Sequence, residues 1–121
     1  MKLITPELLD RFKEVGNQDE VENPIFIAKF FNPCGSQTWY SSEYDPETKI
    51  AYGYVTGMYV DEWGTFSITE LEALKPPPFG LPIERDIHFD EITFKELIHK
   101  QRFQDLNTQE KDNTQDQDIE L

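Results

Sequence analysis

The chain has 121 residues, with 24 acids against 11 bases and a formal net charge of −13; this length fits one domain that buries about two thirds of its unfolded surface. Such a charge is repelled by nucleic-acid phosphates and anionic lipids and attracted to basic surfaces, and the plainer reading beside it is that acidity keeps the protein soluble. The single cysteine, Cys34, excludes an internal disulfide and a multi-cysteine zinc site, and no segment approaches the roughly 20 apolar residues of a spanning helix.

Thr5-Pro6 opens a helix: threonine can cap the free amides and proline is pre-set for the first helical position. Leu8, Leu9, Phe12 and Val15 follow at helical spacing, Ile4 and Leu9 fit a hydrophobic staple, and Gly16 supplies the stop. After an acidic loop, "IFIAKFF" (25–31), bounded by Pro24 and Asn32-Pro33, predicts one buried strand. "QTWYSSEY" (37–44) and "KIAYGYVT" (49–56) predict a hairpin around Asp45-Pro46-Glu47-Thr48. In the second of these strands Ile50, Tyr52 and Tyr54 share one face. Ala51, Gly53 and Val55 share the other, which is small enough for a helix to approach.

"EWGTFSI" (62–68) predicts a fourth strand, with Trp63 and Phe66 as anchors. Thr69 and Glu72 form a capping-box pattern for a short helix that Pro76, Pro77 and Pro78 must end. "IERDIHF" (83–89) predicts a fifth strand, with Ile83, Arg85, Ile87 and Phe89 on one face and Glu84, Asp86 and His88 on the other. "ITFKELIHKQRF" (92–103) predicts a last helix, with Thr93 and Glu96 as capping box and Ile92 and Leu97 as staple. Six acids and one lysine fall in 104–121, so −5 of the charge lies there and −8 remains on 1–103. The expected architecture is α+β: a mainly antiparallel sheet of about five strands packed with an N-terminal helix, a short middle helix and a C-terminal helix. Residues 1–103 are expected to form one compact domain, and 104–121, with little to bury, an acidic disordered tail.

Three groups of residues could carry chemistry. Glu84, Asp86 and His88, at i, i+2 and i+4 of one strand face, are a weak metal-ligand set; the same pattern is what the polar side of a half-buried strand looks like. Glu43, Asp45, Asp61 and Glu62 would pair carboxylates if their strands are neighbours, with Trp39, Tyr40 and Trp63 lining a sugar-sized groove. Cys34 sits in a turn, and a nucleophilic role would need His88 or His99 as base. Arg85, alone on an apolar face, is expected in a structural ion pair. There is no phosphate-binding glycine loop, no zinc-protease helix and no basic patch, so no cofactor or catalytic residue is assigned.

The segments "MKLIT", "AKFFNP", "TWY", "EYDP", "YGYV", "DEWGTFSITEL" and "FGLPIERDIHF", in this order, resemble an uncharacterised bacterial family of small domains of unknown function carried by plasmids, conjugative elements and phages. The similarity covers about residues 1–100 and leaves out the acidic end. The resemblance implies a longer Gly/Asp-rich insert before the "DEWG" segment, where this chain has only the short "TGMYV". It brings no catalytic residues. It implies an accessory role on mobile DNA, where small acidic proteins block host defences.

The resulting expectation is a cytoplasmic, non-enzymatic interaction protein, an anti-defence inhibitor whose carboxylates imitate nucleic-acid phosphates and occupy a basic nucleic-acid-binding host protein. It would bind neither nucleic acid nor membrane directly. The carboxylates chosen for this surface are Glu43, Asp45, Asp61, Glu62, Glu84 and Asp86. Two alternatives stand beside it. One is a metal-assisted hydrolase using the same carboxylates. The other is a self-associating scaffold with an exposed patch of Trp39, Tyr40, Tyr52 and Tyr54.

Overall fold

A computed structural model of the chain describes residues 2–106. Helix α1 spans Pro6–Val15, with Thr5 as its cap: the Leu8 amide donates to Thr5 Oγ1 at 3.2 Å. Gly16 closes it by donating its amide to the Phe12 carbonyl at 2.9 Å. Phe12 is buried, and Ile4, Leu8 and Val15 pack against the same core, as the helical spacing predicts.

Seven strands follow: β1 Ile25–Phe26, β2 Ala28–Phe31, β3 Thr38–Asp45, β4 Ile50–Thr56, β5 Glu62–Ser67, β6 Glu84–Arg85 and β7 Ile92–Thr93. Five make an antiparallel sheet in the order β5-β4-β3-β2-β6, and β1 pairs with β7. With an N-terminal, a middle and a C-terminal helix, the fold is α+β, as the order of elements predicts.

The expected single strand 25–31 is broken at Ile27, whose amide donates to the Ser41 carbonyl at 2.8 Å. The break lets β1 leave the main sheet and pair with β7, Ile25 opposite Thr93 and Phe26 opposite Ile92. It also changes which face is served. Phe26 enters one core, while Ile27, Ala28 and Phe30 enter the other. Opposite the break, β3 shifts register between Ser41 and Glu43. The buried side chain of Gln18 pins this junction. Its Nε2 donates to the carbonyls of Ile25 (3.0 Å) and Ser42 (2.8 Å), and its Oε1 accepts the Ile25 amide at 2.8 Å.

Helix α2 spans Ile68–Ala73. Its cap is Ser67, whose hydroxyl accepts the Glu70 amide at 3.1 Å, rather than Thr69. Ile68, expected to end β5, is the first residue of the helix and is buried beneath it. The expected strand 83–89 also shortens to β6. Asp86 Oδ1 accepts the His88 amide at 2.9 Å and the Phe89 amide returns to the Asp86 carbonyl at 3.2 Å, so the chain turns where a strand would continue. Ile87 is consequently exposed and Phe89 packs in a core.

Helix α3 runs over residues 94–106. Thr93 and Glu96 form its capping box, Glu96 N–H to Thr93 Oγ1 at 3.2 Å and Thr93 N–H to Glu96 Oε1 at 3.4 Å. Ile92 and Leu97 meet in one core, as the staple predicts. The boundary expected at 103 therefore falls inside α3, and the acidic tail from 107 onward lies outside the described residues.

The sheet carries a core on each face. Under α1 and α2 lie Leu3, Phe12, Phe30, Trp39, Ala51, Ile68, Leu71 and Ile83. Under α3 lie Phe26, Tyr40 and Leu97 with Tyr54, Trp63, Phe89 and Phe94. Trp63 is the centre of this second core, 5.4 Å from the Phe26 ring, 5.6 Å from Tyr52 and 5.1 Å from Phe94. Gly53 belongs to the small-residue face. A Cβ there would collide with the Tyr40 carbonyl of β3, so the strands can approach at the register shift only because residue 53 has no side chain.

Candidate functional site

The strand register determines where the acids can meet. Asp45 lies opposite Ile50 at the start of β4, whereas Glu62 lies opposite Val55 near its end. Five residues along the strand separate the two rows, roughly 17 Å at about 3.4 Å per residue. The group Glu43, Asp45, Asp61 and Glu62 is therefore spread along the sheet. Glu84 pairs with Phe31 on the other edge strand, at the same end as Glu62. Four strand spacings of about 4.8 Å put roughly 19 Å between the β5 and β6 backbones. Asp61, Glu62, Glu84 and Asp86 thus flank one end of the sheet from its two edges, while Asp45 occupies the opposite end and Glu43 lies between, opposite Tyr52 in the middle of β4.

Each of these acids has a local role as well. Asp45 accepts the Glu47 amide at 2.9 Å, and that bond, then one from the Thr48 side chain, holds its carboxyl below the ordinary range. Glu43 is half-buried, and burial first, then the charge of Asp19, pushes its carboxyl up. Asp61 accepts the Gly57 amide at 3.2 Å and so fastens the loop between β4 and β5. Asp86 pairs with Lys29 at 3.4 Å, and Lys29 Nζ lies 5.8 Å from the centre of the Tyr40 ring. Tyr40, between the two edges, has its hydroxyl pushed up by burial first and then by the charges of Asp86 and Asp61.

Glu84, Asp86 and His88 do not share a strand face, because β6 ends at Arg85 and the chain turns at Asp86. Among the described residues no group of three or more His, Cys, Asp or Glu side chains gathers as a metal site. Arg85 donates to the carbonyls of Lys2 (3.1 Å) and Leu3 (3.3 Å), tying the N-terminal segment to the sheet edge. The aromatic patch expected of a scaffold is not exposed: Trp39 and Tyr40 are buried on opposite faces, and Tyr52 and Tyr54 pack around Trp63. Cys34 is half-buried in the β2–β3 turn, its amide donating to Asn32 Oδ1 at 2.8 Å.

The feature that sequence reading passes over is beside β5. A groove of about 670 Å³ runs between α2, the β5 edge and the loop 57–60. Trp39, Val55 and Phe66 form its floor, and Leu71 and Leu74 one wall. The other wall is Met58, Tyr59 and Val60, three consecutive apolar residues at 50%, 103% and 60% exposure. Gly64 adds no side chain, and nothing lies within 4 Å of where its Cβ would be. Glu62 and Glu70 stand at the rim. The loop is held at its base: Ser36 Oγ donates to the Gly57 carbonyl at 2.6 Å, and Gly57 has φ +80°, a conformation natural to glycine. The readable signal was "GMYV", an apolar run inside a loop, where polar residues are the rule.

No helix among the described residues is long and apolar enough to cross a membrane. No curated protein and no solved structure matches the chain. The family model described as "Protein of unknown function (DUF2958)" matches residues 3–99, which takes in every strand and leaves out the acidic end. The chain therefore belongs to the DUF2958 family of proteins of unknown function.

Proposed function

We propose that the protein is a non-enzymatic, acidic interaction protein that engages a basic surface of another protein. One observation carries this reading: Asp61, Glu62, Glu84 and Asp86 flank one end of the sheet from opposite edges instead of converging on a shared cavity. Carboxylates spread over about 19 Å suit a charged partner surface better than a reacting atom, which needs groups within hydrogen-bond reach of one another. The net charge of −13 supports a basic partner.

In its finer form, the carboxylates stand in for nucleic-acid phosphates on a basic nucleic-acid-binding host protein, in the setting of mobile-element anti-defence. The family resemblance and the charge support that form. The six carboxylates favour the broader reading, since they are spread along the sheet rather than gathered on one continuous ridge.

The test is binding of the immobilised full chain to purified basic nucleic-acid-binding proteins at low and high salt, with duplex DNA as competitor. Binding that weakens steeply with salt and is displaced by DNA supports mimicry. Salt-sensitive binding that DNA leaves intact supports only the broader reading. Absence of any salt-sensitive basic partner overturns both.

A further inference from the structure

Resting on the reading of a basic protein partner, we propose that the free edge of β5 takes an extended, basic-apolar segment of that partner as an added strand. The ladder leaves hydrogen-bonding groups available there. β5 ends the sheet, with β4 on its one paired side. The Ile68 amide bonds to the Lys49 carbonyl at 3.0 Å, one step beyond the Ile50–Ser67 pair. Bonded and non-bonded pairs alternate in an antiparallel ladder. That phase turns Glu62, Gly64 and Phe66 toward β4 and directs the backbone groups of Trp63 and Thr65 outward.

Sheet edges are ordinarily guarded by shortness, lysine or proline. The other edge, β6, is two residues long. β5 has six residues and neither lysine nor proline. A strand added here would send alternate side chains into the groove, over the floor that Gly64 leaves open and against Leu74, Met58 and Val60. Backbone pairing supplies attachment and the pocket supplies selectivity, as in other strand-addition complexes.

Charge selects the occupant. Glu62 and Glu70 line the groove, and Glu62 shares the groove-facing side of β5 with Gly64 and Phe66. The side chains of an incoming strand that enter the groove therefore meet carboxylates beside the apolar floor, and lysine or arginine, with an aliphatic stem and a cationic head, answers both. The chain's own residues 104–121 carry −5 and would be repelled. A second copy would bring Glu62 and Glu70 against their own kind.

The probe is a synthetic peptide of alternating lysine and valine, with its glutamate–valine counterpart, titrated into the full chain. Amide exchange followed by NMR gives the readout. The basic peptide is expected to slow exchange at Trp63 and Thr65 at least tenfold, and the acidic one to leave both unchanged. Thr65→Pro removes an outward amide at an edge position that tolerates proline, and should weaken binding at least tenfold. Glu70→Lys, on the exposed side of α2, should do the same and keeps the test alive if the proline variant does not fold. Glu47→Lys, an exposed change in the β3–β4 turn at the far end of the sheet, should change affinity less than threefold.

Salt-sensitive binding that is indifferent to Thr65→Pro and Glu70→Lys, or that leaves Trp63 and Thr65 unprotected, overturns the β5 site while the basic-partner reading stands. Equal protection by the acidic peptide overturns the proposal, as does absence of binding by either peptide. Protection that appears without peptide and grows with protein concentration identifies a second copy as the occupant and also overturns it. Failure of the basic-partner reading itself would show in the salt-dependent binding test, whatever happens at β5.

Discussion

Replacing Gln18 by alanine tests whether one side chain holds together the junction where the sheet divides. Gln18 is 6% exposed and makes three hydrogen bonds, to the amide and carbonyl of Ile25 and the carbonyl of Ser42. Alanine strands all three backbone groups. A buried group left without a partner costs about 1–3 kcal/mol. Water can enter the space vacated by the amide and satisfy some of them, so the lower end applies to each. The sum is about 3 kcal/mol, a large part of the 5–15 kcal/mol or so that holds a domain. For a domain near 100 residues this lowers Tm by roughly 15 °C. Urea unfolding followed by tryptophan fluorescence gives the free energy, and calorimetry gives Tm. Glu22→Ala, an exposed change in the same loop, serves as control and should stay within about 0.5 kcal/mol. A Gln18→Ala loss below about 1 kcal/mol would refute the reasoning, because those backbone groups would then be satisfied by something other than Gln18.

Ser67→Ala should cost about 1 kcal/mol and Thr69→Ala only a few tenths, read from urea midpoints; the reverse order would place the start of α2 at the capping box legible in the sequence. Gly53→Ala, whose Cβ would collide with the Tyr40 carbonyl, should cost upwards of about 3 kcal/mol or prevent folding, with Tm and yield as measures. Glu43 has a carboxyl pushed above the ordinary 4.5 by burial first and then by Asp19. A raised folded value favours the native state below the ordinary pKa, and that advantage is lost as pH rises through the folded value. Glu43→Gln should therefore be more stable than the parent at neutral pH, with the gain vanishing as pH falls below 4.5; urea midpoints across that range would show it, and a constant difference would refute it.

The elements were legible wherever a local signal decided the structure alone. Thr5-Pro6, Gly16 and the Thr93–Glu96 box act within one turn of chain, and each sits where its chemistry requires. The alternation of Ala51, Gly53 and Val55 against Tyr52 and Tyr54 likewise separates the two cores. What was not legible depended on competition between partners. Nothing in "IFIAKFF" says that its first two residues pair with Ile92–Thr93 and its last four with β3, because both choices bury the same side chains. "IERDIHF" alternates as a strand should, yet the Asp86 carboxylate offers the His88 amide a local bond, and the turn wins over a ladder that Lys29 and Ala28 of β2 could have extended. At Ser67 the opposite happened: a hydroxyl two residues before the expected cap reached the Glu70 amide, and burial of Ile68 drew the helix start back with it.

The candidate site exposes a deeper limit of composition. Residue type identifies an acid, but its meaning comes from its neighbours across the sheet. Asp61 reads as free surface charge and is in fact the acceptor that closes the loop carrying Met58, Tyr59 and Val60. Glu62 beside it has no such bond in the loop and stands at the groove rim, so adjacent carboxylates divide between building the surface and presenting charge. The groove joins residues from β3, β4, β5 and α2 that lie up to 35 positions apart, from Trp39 to Leu74. Only the register makes them neighbours, and only the position of β5 at the sheet's end makes its backbone available. An apolar run that looked like a loose turn thus becomes, once Gly57 and Asp61 tie its base, the one wall of the groove without a regular element behind it. Rigid attachment at the base with apolar side chains left in water is unfavourable for an isolated domain, and a partner that covers Met58–Val60 removes that cost.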